Sequence, residues 1–182
     1  MDLWTQIATR ITDATGTTFR LSGTHSVGGG CINATEVLEG DGRKYFVKLN
    51  DAARLDMFEA EAAGLQEIVD SDTIRAPRPV VGGTASGQAF LVLEYLELGG
   101  RGDSQSDAEL GRQLAAMHRC TRPQYGWWRD NTIGATPQIN TEGRDWITSD
   151  REHRLEHQLE LAAENGAARL MRHDRPESGE AG

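Results

Sequence analysis

Only two cysteines, Cys31 and Cys120, occur among the 182 residues. That is too few for a disulfide-built scaffold and fits a reduced, cytoplasmic setting. Long apolar runs are missing as well. The longest, Ala89 to Leu93, falls far short of the roughly 20 residues a membrane-spanning helix needs, so no membrane association is expected. Nor does the chain open with the charged and then apolar pattern of a secretory leader, because Met1 and Asp2 lead into a polar amphipathic stretch. Positive charge is scarce: 19 Lys and Arg stand against 28 Asp and Glu, a formal net charge of -9, which argues against a sequence-independent nucleic-acid binder. With 37% hydrophobic and 26% charged residues the chain matches a globular protein, and its length suits one ordinary domain or two small lobes. Glycine is the excess, at 21 residues.

Periodicity divides the chain. Leu3, Ile7, Ile11 and Ala14 recur at helical spacing, with Trp4 and Ala8 widening the stripe and Gly16 as a stop. A β-rich stretch follows: Phe19 with Leu21, then Ile32 to Glu39, then Lys44 to Leu49, the last two joined by Glu39-Gly40-Asp41-Gly42, a hairpin signal. Arg54 to Asp70 reads as a helix with Leu55, Phe58, Ala62, Leu65 and Val69 on one face. Pro77 and Pro79 introduce Val80-Val81, and Gly82-Gly83 through Gly87 predicts a turn into the strand Ala89 to Leu93. Strands joined by tight turns are antiparallel, so a small antiparallel sheet with a packed helix is the expected first unit. Leu98 to Ser106 is a composition break and reads as a linker. A short helix is expected over Asp107 to Arg119, a patternless segment over Thr121 to Gly143, and a helix over Asp145 to Asn165. The polar tail from Arg169 is expected to be unstructured.

Chemistry concentrates in the first unit. Gly28-Gly29-Gly30-Cys31-Ile32-Asn33 sits between two strands, where glycines let backbone N–H groups approach a ligand, an arrangement that suits phosphate oxygens. Alone it equally describes a plain hairpin turn. It is neither the dinucleotide fingerprint, since Asn33 replaces the third glycine and no helix follows, nor a Walker loop, since no Gly-Lys-Ser/Thr ends it. Its order along the chain adds weight. Lys48 follows in the third strand, sharing a face with Phe46, and Glu61 follows on the next helix near the edge of the buried stripe. An acid there needs a cation, and Lys48 is the candidate; Glu59 lies on the other flank. A glycine loop, a third-strand lysine and a helix glutamate compose the ATP-holding half of a protein-kinase-like site. The strand Phe90-Leu91-Val92-Leu93 followed by Glu94-Tyr95-Leu96 then falls where a hinge belongs, with the Glu94 carbonyl and the Leu96 N–H as adenine partners.

These residues, with Phe46-Val47-Lys48, Met57-Phe58-Glu59-Ala60-Glu61 and Leu91-Val92-Leu93-Glu94-Tyr95, resemble the fructosamine kinase (ketosamine-3-kinase) family. The more specific Tyr125-Gly126-Trp127-Trp128-Arg129-Asp130-Asn131-Thr132-Ile133-Gly134 stretch, Asp145-Trp146 and Glu152-His153-Arg154-Leu155 extend the match. The resemblance implies an α+β, protein-kinase-like fold: an antiparallel-sheet N-terminal lobe over 1–98 and the first helices of an incomplete helical C-terminal lobe over 99–168, before a tail over 169–182. It implies transfer of the ATP γ-phosphoryl to the 3-hydroxyl of a ketosamine, free or on a glycated lysine, with Mg²⁺. Lys48 and Glu61 would clamp ATP, Gly28, Gly29, Gly30 and Cys31 would cradle its phosphates, Glu94 and Leu96 would form the hinge, and Asp130, Asn131 and Thr132 would meet the acceptor.

Against that pattern, the family's His-Gly-Asp…Asn and Asp-Pro-Ala segments, which supply the catalytic base and the metal ligands, are not found. His173-Asp174 has no Asn five positions beyond the aspartate. The expectation is a C-terminally truncated member with no catalytic or metal-ligating residue of its own and little kinase activity alone. A nucleotide-binding or interaction module without turnover, or an inactive remnant, remain the other readings. Uncovered apolar helix faces predict self-association, through that surface or through Cys31.

Overall fold

Asp2 opens the first helix, α1 (Leu3–Thr15): its carboxylate accepts from the Thr5 N–H at 3.1 Å and from the Thr5 hydroxyl at 2.6 Å. Gly16, at φ +64°, closes it in the left-handed conformation expected of the stop. The computed structural model describes residues 1–28, 32–99 and 102–167. Gly29, Gly30, Cys31 and the 169–182 tail therefore lie outside the described residues. The chain forms two units, Met1–Thr121 and Arg122–Gly182.

In the first unit α1 is followed by β1 (Leu21–Ser26), β2 (Ala34–Gly40), β3 (Arg43–Asp51), α2 (Leu55–Asp70), β4 (Pro79–Ala85), β5 (Gln88–Glu94) and α3 (Ser104–Met117). The strands form one sheet in the order β1-β2-β3-β5-β4, with every neighbouring pair antiparallel. The sequence predicts both this order of elements and the antiparallel pairing. Asp41 (φ 48°) and Gly42 (φ 73°) make the turn joining β2 to β3, both left-handed, as a two-residue hairpin of this twist demands.

The next hairpin differs from expectation. Its turn is Ser86-Gly87, at φ 48° and 79°, while Gly82 and Gly83 lie inside β4 opposite Leu91 and Phe90. Both are strand residues with ordinary van der Waals room: a Cβ on Gly82 would stand 3.4 Å from the Phe90 carbonyl oxygen, and one on Gly83 3.6 Å from the Phe90 ring.

Alternation along β3 splits the core. Tyr45, Val47 and Leu49 point to the α1 side, where they pack with Ile7, Ile11, Leu38, Phe90 and Val92. Phe46 points to the other side, against Phe58 of α2 with Leu91 and Leu93. Each large side chain so buried contributes about 1.5–3 kcal/mol of hydrophobic stabilisation. Lys48, two residues beyond Phe46, shares the α2 face.

Helix α3 begins at Ser104, ahead of the expected Asp107, because Asp103 caps it by accepting from the Ser106 N–H at 2.8 Å. None of its side chains is buried, and Leu110 and Leu114 are exposed.

The second unit holds more order than its composition suggests. The stretch expected to be patternless contains the hairpin β6 (Asn131–Ile133) and β7 (Thr136–Gln138), and Tyr125 and Gly143 exchange backbone hydrogen bonds at 2.8 and 2.9 Å. Strands this short are below the length at which alternation can be recognised. The helix expected over Asp145 to Asn165 is realised as α4 (Trp146–Asp150), a π-helical turn over Arg151–Glu156 and α5 (His157–Glu164), with Asp145 as cap. Trp146, Ile147, Leu155 and Leu159 are exposed along it. Among the described residues no helix is long and apolar enough to cross a membrane.

Candidate functional site

Strand register sets the site. Lys48 on β3 lies opposite Thr35 of β2 and Leu91 of β5. One row nearer the β2–β3 turn, Phe46 lies between Val37 and Leu93. The two rows share the α2 face and stand about 7 Å apart along the strand. Glu61 comes down from α2, one helical turn beyond the buried Phe58, and takes the Lys48 ammonium on both carboxylate oxygens, at 2.7 and 2.8 Å. The side chains keep 21% and 30% of their surface, so the pair is sheltered yet open on one side. A lysine so half-desolvated is held in one place by its partner, with its remaining N–H donor capacity free to meet an anion.

Both feet of the glycine loop are fastened. On the β1 side the Val27 N–H donates to the Thr35 carbonyl at 3.0 Å, and the Thr35 hydroxyl donates to the Val27 carbonyl at 2.5 Å. On the β2 side the Asn50 amide donates to the Ile32 carbonyl at 3.1 Å and to Asn33 Oδ1 at 2.7 Å. Thr35, facing Lys48 across the ladder, thus ties the loop to the row that carries the lysine. Gly28 stands at this root.

A cleft of about 460 Å³ opens next to it. Val37, Phe46 and Leu93 form its sheet wall, Val27 and Gly28 the loop side, and Glu94, Tyr95, Leu96 and Leu98 the segment leaving β5. The sequence-predicted Gly28, Glu94 and Leu96 therefore meet at one cleft, and Lys48 and Glu61 meet one row further along the same face. The Glu94 side chain turns away to the segment after α2, accepting from Arg75 Nη2 at 2.5 Å and from the Arg78 N–H at 3.3 Å, while its own N–H donates to the Arg78 carbonyl at 2.8 Å. Arg75, Thr35 and Asn50 are positioning residues that sequence reading missed; none belongs to a motif, and only the folded register brings them in.

In the second unit Asp130 and Asn131 serve the hairpin. Asp130 Oδ1 accepts from the Asn140 N–H at 2.8 Å, Asn131 Oδ1 accepts from Asn140 Nδ2 at 2.8 Å, and Thr132 pairs with Pro137. Asn140 is only 3% exposed, and its Oδ1 accepts from Arg154 Nη2 at 2.6 Å. Trp127 and Trp128 lie 5.4 Å apart, and the Arg129 guanidinium sits over the Trp128 ring. Among the described residues no group of three His, Cys, Asp or Glu side chains is placed to hold a metal ion.

A five-stranded antiparallel sheet, with a third-strand lysine bridged to a helix glutamate and an apolar cleft ahead of a connecting segment, is the N-terminal lobe of a protein-kinase-like fold. The chain belongs to the fructosamine kinase family, whose model matches residues 3–175. It is 48% identical over 160 residues to a Synechocystis protein named "Probable ketoamine kinase", across 87% of this chain and 54% of that one. To the chloroplastic protein-ribulosamine 3-kinase of Oryza sativa subsp. japonica it is 44% identical over 150 residues, across 80% and 43% of the two chains. The crystal structure of a Haemophilus somnus 129PT protein assigned to the fructosamine-3-kinases shares the fold, with a TM-score of 0.83 at 24% identity, over 90% of this chain and 56% of that one. The chain spans about half the length of the curated relatives it matches.

Proposed function

We propose that the first unit binds ATP, as the nucleotide-holding part of a kinase that phosphorylates the sugar 3-hydroxyl of ketosamines, small or carried on protein lysines. The observation that carries this reading is the Lys48–Glu61 pair standing one ladder row from the apolar cleft. A base in the cleft, against the Glu94 and Leu96 backbone, sends its phosphates along β3. They reach the Lys48 ammonium and the loop that begins at Gly28. Lys48 neutralises phosphate charge, Glu61 fixes the lysine's position, and loop amides donate to the remaining oxygens. The lobe assignment, 1–98 for the nucleotide and 99–168 for the acceptor side with Asp130, Asn131 and Thr132, belongs to the same proposal, as does a cytoplasmic setting. Mg²⁺ has no fitting ligand set among the described residues, so no step is assigned to a protein-held ion. With no His-Gly-Asp or Asp-Pro-Ala segment in its 182 residues, this sequence is expected to bind nucleotide without turnover on its own.

Calorimetric titration with Mg-ATP tests the reading, on the wild-type chain and on Lys48→Met. Affinity at least about tenfold weaker in the variant, a loss of about 1.4 kcal/mol, is the expected result. A folded wild-type chain that takes up no ATP overturns it. Exposed Leu110 and Leu114 on α3, with Trp146, Ile147, Leu155 and Leu159 in the second unit, favour self-association as an additional property. Sedimentation velocity across a concentration series measures that, and a monomer throughout rejects it.

A further inference from the structure

A second cavity, of about 190 Å³, lies within the 122–167 region. Two aromatic rings wall it, Tyr125 and Trp146, with centroids 5.7 Å apart and planes tilted by 55°. The backbone holds both: Tyr125 through its exchange with Gly143, and Trp146 as the first residue of α4 behind the Asp145 cap. Next to Tyr125, Gly126 at φ 101° lets the chain lie against Thr141, where a Cβ would stand 2.6 Å from the carbonyl oxygen. The walls are thus set by backbone contacts.

From the helical side Ser149, Asp150 and His153 line the same space, and all three are half-buried. Among the described residues the Ser149 hydroxyl, the Asp150 carboxylate and the His153 ring have no polar partner. Directly after Asp150 the helix widens into the π-helical turn Arg151–Glu156, a distortion frequent at functional sites. Arg154, the cation of the lining, is spent on the hairpin: Nη1 donates to the Ile139 carbonyl and Nη2 to Asn140 Oδ1, both at 2.6 Å. A half-desolvated carboxylate without a cation, beside two aromatic rings, suits a positive charge carried on an apolar stem.

We infer that this cavity binds an organic ammonium group. Asp150 takes the charge, Tyr125 and Trp146 flank it, and Ser149 and His153 accept its remaining N–H donors. A lysyl side chain and a free alkylamine both present this chemistry. The inference goes beyond the nucleotide reading and does not depend on it, since every residue involved belongs to the second unit.

The test follows the Trp146 indole N–H resonance of the full chain at neutral pH, identified by its loss in Trp146→Phe. The probes are n-butylammonium, n-butanol and Nα-acetyl-lysine methylamide. The ammonium is expected to bind about tenfold more tightly than the alcohol. Asp150→Asn keeps the shape and removes the charge, and it is expected to erase that preference. Tyr125→Leu is expected to lower ammonium affinity several-fold. Asp150→Ser repeats the measurement if Asp150→Asn does not melt cooperatively. Equal binding of the blocked lysine assigns the site to lysyl side chains, and binding of n-butylammonium alone assigns it to free amines. No saturable shift, no preference over n-butanol, or a preference that survives Asp150→Asn overturns the inference. None of these results bears on ATP uptake by the first unit.

Discussion

The ammonium of Lys48 and the carboxylate of Glu61 meet through two hydrogen bonds although the residues are 13 positions apart. One is fixed by the ladder of β3 and the other by the rotation of α2 about its buried Phe58, so their contact measures how the helix is seated on the sheet. Helix and sheet each carry half of the proposed anion grip, and the pair forms only where the packing between them is correct.

Glu61→Gln separates the pair's contribution to stability from its contribution to binding. Both side chains retain solvent contact, so the fold is expected to lose no more than about 1 kcal/mol, read from a denaturant melt. ATP affinity is expected to fall several-fold because the lysine loses its fixed position. An unchanged affinity would show that Lys48 finds its place without Glu61.

Thr35→Val removes the hydroxyl that closes on the Val27 carbonyl and keeps the side-chain shape. About 1 kcal/mol of stability is expected to be lost. Hydrogen exchange is expected to quicken at Val27 and Gly28 ahead of the rest of β1. Uniform exchange along β1 would mean that the loop root is held by other contacts.

Two glycine substitutions are expected to act in opposite directions. A Cβ on Gly40 would stand 2.1 Å from the Arg20 carbonyl oxygen, a backbone atom that cannot swing aside, so Gly40→Ala is expected to cost at least about 2–3 kcal/mol. Gly64, within α2, has open space around it, and Gly64→Ala is expected to add about 0.5–1 kcal/mol. Thermal melts of the two variants decide; a shift of the same sign in both would contradict the packing described.

Sequence periodicity reached the helices, the five strands of the first unit and the Lys48–Glu61 partnership, because each rests on spacing within one element or on a charge that needs an opposite. Long-range geometry stayed out of reach. Gly82 and Gly83 read as a turn since composition does not say whether a glycine bends the chain or continues a strand, as these do opposite Leu91 and Phe90. The β6–β7 hairpin was invisible for want of length, and the dependence of its hydrogen bonds on Asn140 emerges only when Asp130, Asn131 and Arg154 converge on that residue. Of the loop residues singled out, Gly29, Gly30 and Cys31 lie outside the described residues.

Asn140→Ala is expected to destabilise the 122–167 region by about 1–3 kcal/mol, because it removes a buried amide that donates to the Arg129 carbonyl and Asn131 Oδ1 and accepts from Arg154 Nη2. Hydrogen exchange resolved by region is the suitable readout. Protection is expected to drop across β6 and β7 and to remain at wild-type level in β3 and β5.

Acid sensitivity follows from the helix caps. Hydrogen bonds from the Thr5 hydroxyl, the Ser106 N–H and the Thr148 hydroxyl hold the carboxyls of Asp2, Asp103 and Asp145 below the ordinary aspartate value. A carboxyl depressed in the folded state stabilises the fold above its unfolded pKa, about 3.9, and ceases to do so as pH falls through its folded value. Helical circular dichroism is therefore expected to hold steady down to about pH 5 and to decline below about pH 4. Asp103→Asn keeps a capping acceptor and is expected to flatten part of that decline.

The placement of the indole rings has a practical consequence for spectroscopy. Trp127, Trp128 and Trp146 all belong to the second unit, the last two at 59% and 56% exposure, whereas the first unit has Trp4 alone, packed at the edge of the α1 core on the sheet face opposite Lys48. Intrinsic emission of the native chain is thus dominated by wet indoles remote in sequence from the cleft, and it is a poor witness of nucleotide uptake. The same distribution makes Trp4→Phe a reporter variant: with that ring removed, all remaining indole light comes from residues 122–167, and the unfolding of that half can be followed without separating the two.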